Sequence, residues 1–75
     1  MKFNKLNKDT VEVVVNDNAK VLYSNNKPVA VYLNQTYYKT NSKLPPNSHI
    51  LANKWVNNPV HKNQSFFDNF MARFA

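Results

Sequence analysis

The pattern of apolar and polar residues changes near residue 40 of the chain. Before that point, short runs rich in β-branched and aromatic residues alternate with short polar segments, which is typical of strands joined by turns. After it, apolar residues recur three or four positions apart, as they do along one side of a helix. The pattern predicts an α+β fold, in which a small antiparallel meander of about four strands precedes one or two C-terminal helices.

The turns of the predicted meander are marked by asparagine. The chain contains no glycine, so asparagine, the next most tolerant residue, is expected wherever a turn needs a positive φ. The segment 25–28 ends in a proline and is interpreted as a four-residue turn, whereas Asn34-Gln35 is interpreted as a two-residue turn. The four predicted strands are TVEVVV (10–15), AKVLYS (19–24), VAVYL (29–33) and TYYKT (36–40).

Two helices are predicted after the Pro45-Pro46 pair, which is expected to end strand pairing. The first begins at Ser48 and runs through HILANKWV. The second begins with Ser65 as its N-cap, because Asp68 follows three residues later as in a capping box. Both helices are expected to pack on one face of the sheet. We predict one domain over 1–75, divided into an N-terminal arm (1–9), the meander (10–40), a proline-rich loop (41–47) and a helical part (48–75).

Three tyrosines and a lysine lie within VAVYLNQTYYKT. A two-residue turn at Asn34-Gln35 pairs Tyr32 with Tyr37, and paired residues share a face of the sheet. That face would also carry Lys39, while the opposite face would carry the core residues Val29, Val31, Leu33 and Tyr38. If 25–28 is a four-residue turn, Tyr23 joins Tyr32 and Tyr37.

The charge of the chain gives this tyrosine face a candidate ligand. Ten lysine and arginine residues against four acidic residues leave a formal net charge of +6, and a small domain with that field attracts polyanions. Aromatic rings among lysines form a platform on which unpaired bases stack. Tyrosine is also a common strand residue, and a covered face would serve structure alone. The predicted nucleic-acid-binding residues, for which a single strand is the favoured ligand, are Tyr23, Tyr32, Tyr37, Lys20, Lys27, Lys39 and Lys43.

A protein-binding module is the alternative interpretation. Its anchors would be the single tryptophan and the phenylalanines spaced along the second helix, although the same residues would suit a core. Enzymatic activity is not expected, because no nucleophile, base and orienting group can be named together. No cofactor is expected, and His49 and His61 are too few for a metal site. The predicted protein-binding residues are Trp55, Phe66, Phe70 and Phe74.

Several segments resemble one group of proteins. In sequence and in order, three segments are similar to those of small, largely phage-encoded proteins to which no activity is assigned. The segments are AKVLYSNNKPVAVYLNQTYYKTNSK, SHILANKWV and QSFFDNF. The resemblance implies phage origin. The residues themselves leave two classes of partner open: nucleic acid, or a host protein such as an enzyme or defence complex. We expect a soluble protein of the host-cell cytoplasm, since no secretion signal or run of about 18 apolar residues is evident. Self-association as a homodimer is a further expectation for so small a core.

Overall fold

Two-residue turns connect the first five strands of an antiparallel sheet, and a sixth strand adds in parallel. A computed structural model describes residues 2–70 and 72. The strands lie in chain order across the sheet: β1 (Lys2–Asn7), β2 (Thr10–Asn16), β3 (Ala19–Ser24), β4 (Lys27–Leu33), β5 (Thr36–Thr40) and β6 (Val60–Lys62). Helix α1 (Pro46–Trp55) connects β5 to its parallel neighbour β6, and α2 (Gln64–Phe70) follows. The predicted α+β class is confirmed, but the sheet has more strands than the predicted four.

The extra strands are the two edges of the sheet. Residues 2–7 pair with β2 as β1, so the predicted N-terminal arm is wrong for this segment. Its only apolar residues, Phe3 and Leu6, do not alternate, and they are exposed. β6 has three residues and pairs with β5 only because α1 returns the chain to that edge.

The turn at Asn34-Gln35 has the predicted two residues, and the turn before β4 does not have the predicted four. Asn25 and Asn26 form it alone, with φ of 52° and 65°, as a tight hairpin with two left-handed residues requires. Asn34 and Gln35 repeat this geometry. Asparagine thus takes the positions that glycine often fills. The strand register shifts between Leu22 and Tyr23, so a bulge accommodates Pro28 inside β4.

The two helices pack on opposite faces of the sheet, which corrects the predicted one-sided packing. Phe67 and Phe70 of α2 are buried against Val21 and Val31. On the other face, Ala52 of α1 is buried against two small or medium residues of the central strands, Leu22 and Ala30. Four consecutive residues of β4, from Pro28 to Val31, are buried, because a strand covered on both sides needs no polar alternation.

Both helices start at positions other than the predicted ones. α1 begins at Pro46, where proline is favoured because the first helical N–H has no partner inside the helix. Ser48 therefore lies within the first turn, where its hydroxyl bonds to that of Ser24 on β3. Asn63, rather than Ser65, caps α2, since its Oδ1 accepts a hydrogen bond from the backbone N–H of Phe66 at 3.2 Å. Neither helix, as far as it is described, is long and apolar enough to cross a membrane.

Candidate nucleic-acid interface

One row of side chains crosses five strands on the face that carries α1. Strand pairing sets Tyr32 opposite Tyr37, as predicted, and sets Lys20 opposite Tyr32 on its other side. The row continues through Val14 to Lys2 on the edge strand. Directly paired residues point to the same side of a sheet, so two lysines and two tyrosines lie on one surface.

Three aromatic rings form a continuous contact along this surface. The ring centroids of Tyr32 and Tyr37 are 4.9 Å apart, with their planes tilted by 54°. Tyr37 also meets Trp55 at the end of α1, edge to face, with centroids 5.6 Å apart. The ammonium of Lys20 lies 5.8 Å from the Tyr32 ring centroid, within cation–π range. We call Lys2, Lys20, Tyr32, Tyr37 and Trp55 together the Tyr32–Tyr37 surface.

Glu12 is the acidic residue bordering this surface, and it holds Trp55 in place. Its Oε1 accepts a hydrogen bond from the indole N–H at 2.8 Å, and its Oε2 accepts one from the Asn4 side chain at 3.0 Å. Burial raises the pKa of Glu12, but these two hydrogen bonds and the charges of Lys20 and Lys2 outweigh it, so the pKa is lowered. The carboxylate is therefore charged at neutral pH, and it fixes the outer edge of the aromatic contact.

The Glu12 pKa predicts an acid transition that Trp55 should report. A carboxylate with a lowered folded-state pKa stabilises the fold above its unfolded pKa, about 4.3, and loses that contribution as pH falls through the folded value. The fluorescence of the single tryptophan should therefore change with a midpoint below about 4.3. In Glu12→Gln this transition should be absent, and the difference in unfolding free energy between the two proteins should shrink as the solution is acidified. An identical acid transition in both proteins would assign it to another carboxylate.

Tyr23 does not join the other tyrosines, which corrects the prediction made from a four-residue turn. The two-residue turn places Leu22, rather than Tyr23, on the face of Tyr32. Tyr23 packs instead with Val21 and Val31 near α2, where burial raises the pKa of its hydroxyl.

The four predicted lysines do not form one cluster around the tyrosines. Lys20 lies on the Tyr32–Tyr37 surface. Lys39 points to the same face but is only 7% exposed. Lys27 and Lys43 together line a groove to which none of the tyrosines contributes. The sequence therefore identified Lys20, Tyr32 and Tyr37 as neighbours correctly and overstated the size of the cluster.

The residues of the protein-binding alternative lie mostly inside the fold. Phe70 is buried, and Phe66 is half-buried with its ring 5.2 Å from that of Tyr38. Trp55 is half-buried and uses its N–H for Glu12. Phe74 lies outside the described residues. Trp55, Phe66 and Phe70 therefore pack within the fold and are not free anchors for a partner.

Sequence reasoning missed Lys2 and Glu12. Lys2 lay in the predicted arm, and only the pairing of β1 with β2 brings it into the row. Glu12 is the single charged residue within the apolar run TVEVVV. A charged residue at this position indicates that one face of the strand is not fully apolar. Its partner Trp55 is 43 positions away in the chain, and no local pattern connects them.

Comparison with protein-family models, with curated proteins and with solved structures found no match. Among residues 2–70 and 72, no group of three or more metal-ligating side chains comes together.

Proposed function

We propose that this protein is a small non-enzymatic accessory protein that binds single-stranded nucleic acid across the Tyr32–Tyr37 surface. The observation that carries the proposal is the row in which Lys20, Tyr32 and Tyr37 lie side by side on three adjacent strands. Aromatic side chains offer faces or edges to unpaired bases, and lysines beside them neutralise the phosphates. The resemblance to phage-encoded proteins supports a role in the host-cell cytoplasm.

The charge distribution supports the same ligand. The surface combines two lysines with three aromatic side chains, and its bordering carboxylate, Glu12, is already bonded to Trp55 and Asn4. The excess of ten basic over four acidic residues would draw a polyanion towards the protein from any direction. The aromatic rings would then favour a single strand over a duplex, because the bases of a duplex are stacked on one another.

The protein-binding alternative has less support from the described residues. Phe66, Phe70 and Trp55 already make intramolecular contacts, so a partner would have to displace them. We therefore treat a host protein as an outcome of the tests below.

Two matched lysine variants test the proposal. Lys20 and Lys62 each lie 5.8 Å from an aromatic ring centroid, but Lys62 covers Phe66 on the α2 side. Lys20→Gln and Lys62→Gln thus remove the same charge and the same kind of ring contact from opposite faces. Each is titrated with single-stranded and duplex oligonucleotides over a range of salt concentrations.

We expect the wild-type protein to prefer the single strand. Lys20→Gln should weaken binding and reduce the salt slope by about 0.7, the value for one phosphate contact with a single strand. Lys62→Gln should keep the wild-type slope. Equal losses in both variants, with no preference for single strands, would show that only the overall positive charge attracts nucleic acid, and would refute the proposal.

A further inference from the structure

A second groove lies where β5 ends and the chain passes into α1. It has a volume of about 610 Å³. Four separate segments contribute basic side chains to it: β5, the loop that follows, the first turn of α1, and β6. Its lining includes Lys39, Thr40, Lys43, Pro46, His49 and His61.

Strand pairing brings two of these basic residues together. Lys39 and His61 are direct partners in the parallel pair of β5 and β6, so both side chains point to the face that carries α1. His49 faces the same groove from the first turn of α1. The amide nitrogen of Asn53 lies 3.1 Å from Nε2 of His49. This contact uses Nε2, so Nδ1 is the ring nitrogen left for a further partner.

Lys39 is the residue that indicates an anion as the ligand of this groove. The side chain is 93% buried, being 7% exposed, and within the described part of the chain it has no hydrogen bond or ion pair. None of the acidic residues lines the groove. The ammonium of Lys39 is not among the fully buried polar atoms that lack a partner, so the stem is buried while the charged head reaches the groove that Lys39 lines. An anion placed there would supply the missing partner.

The start of α1 adds to the positive potential. Its N-cap makes no side-chain hydrogen bond, and its first turn contains no acidic residue. The first N–H groups of a helix lack partners inside the helix, and they carry a partial positive charge. In this helix the N-cap and the first position are Pro45 and Pro46, which have no N–H. The helix start therefore contributes a partial positive charge near the groove rather than a set of hydrogen-bond donors to it.

We propose that this groove binds a phosphate group, held by Lys39 with His61, His49 and Lys43 around it. The phosphate would be either the terminal phosphate of a nucleic-acid strand or a free phosphate compound. Tyr37 lies two residues before Lys39 on the same strand and face, which is about 7 Å along β5. A terminal phosphate in the groove would thus lie close to a base on the Tyr32–Tyr37 surface. Only the assignment of the phosphate to the end of a nucleic-acid strand rests on the proposed function.

Inorganic phosphate is the probe for the groove itself. It is titrated into isotope-labelled protein in a sulfate-free buffer at constant ionic strength, and the backbone amide signals are followed by NMR. We expect the signals of Thr40, Lys43, His49 and His61 to shift. Lys39→Met keeps the buried apolar stem and removes the charge, and we expect it to weaken phosphate binding at least tenfold. The matched control is Lys62→Met, which removes a lysine next to His61 but on the opposite face of the sheet, and should change binding less than twofold.

Two results would overturn the proposal: no localised shifts at millimolar phosphate, or equal losses in the two variants. If Lys39→Met does not fold, His61→Gln is tested in its place, because His61 is exposed at the rim of the groove. It should also weaken phosphate binding. A 5′-phosphorylated oligonucleotide that binds more tightly than its 5′-hydroxyl form, only while Lys39 is present, would identify a strand end as the source. Equal binding of the two forms would identify a free phosphate compound.

The groove and the Tyr32–Tyr37 surface can fail independently. Phosphate binding that depends on Lys39, without any preference for single strands, would refute the proposed function and retain the groove. Single-strand binding that depends on Tyr32, with no amide shifts on addition of phosphate, would support the proposed function and refute the phosphate site in the groove.

Discussion

Phe67→Ala should destabilise the protein by about 3–5 kcal/mol, the usual cost of removing a buried phenylalanine side chain. Phe67 is 0% exposed and lies at the centre of the core between α2 and the sheet, against Val21 and Val31. A domain of this length has a total stability of roughly 4–11 kcal/mol. The variant should therefore unfold at a much lower denaturant concentration and temperature, which denaturation followed by circular dichroism would measure.

Phe3→Ala is the matched control for this prediction. It makes the same chemical change at a side chain that is 67% exposed on the edge strand β1, so its effect should stay within about 0.5 kcal/mol. A small effect of Phe67→Ala would contradict the packing of α2 on the sheet. A large, concentration-dependent effect of Phe3→Ala would instead show that a second copy covers β1, as in the homodimer expected from the sequence.

Local chemistry made parts of this fold predictable. The pairing of Tyr32 with Tyr37 followed from one two-residue turn and the alternation of side chains, both of which are properties of adjacent residues. The same reasoning failed one turn earlier, because Pro28 suggested a longer turn. The bulge at Leu22 and Tyr23 absorbs the proline instead, and one shift of register was enough to move Tyr23 to the other face.

Long-range pairing made other parts unpredictable. β6 is too short to be recognised, and its place beside β5 depends on where α1 returns the chain. The groove around Lys39 and His61 exists only because of that pairing, so no spacing in the sequence could indicate it. One signal was available: the unbroken apolar run from Pro28 to Val31 is typical of a strand buried on both faces, which would have placed the helices on opposite sides.

Tyr32→Ala/Tyr37→Ala should weaken single-strand binding by at least about 1.4 kcal/mol, or tenfold, if the proposed function is correct. Stacking of a base on one aromatic side chain contributes about 1–3 kcal/mol, and the double variant removes two of the three rings in contact on this surface. The affinity of wild type and variant for the same oligonucleotide, measured by fluorescence anisotropy at two salt concentrations, gives the difference.

The salt dependence separates the tyrosines from the lysines. Removal of the two rings eliminates no phosphate contact, so the double variant should lose affinity at an unchanged salt slope, whereas Lys20→Gln should change the slope. Because Tyr37 also packs against Trp55, the folded state of the variant is checked by circular dichroism before titration. Tyr32→Phe/Tyr37→Phe is the matched control, since it keeps both rings and removes only the hydroxyl groups.

The pair of double variants also distinguishes two modes of recognition. If the rings stack on bases, the phenylalanine variant should bind like wild type and the alanine variant should not. If both variants lose affinity equally, hydroxyl hydrogen bonds carry the interaction. If the folded alanine variant binds single strands as tightly as wild type, Tyr32 and Tyr37 serve only as scaffold. The positive charge would then attract nucleic acid without specificity, and the function would have to be sought in a protein partner.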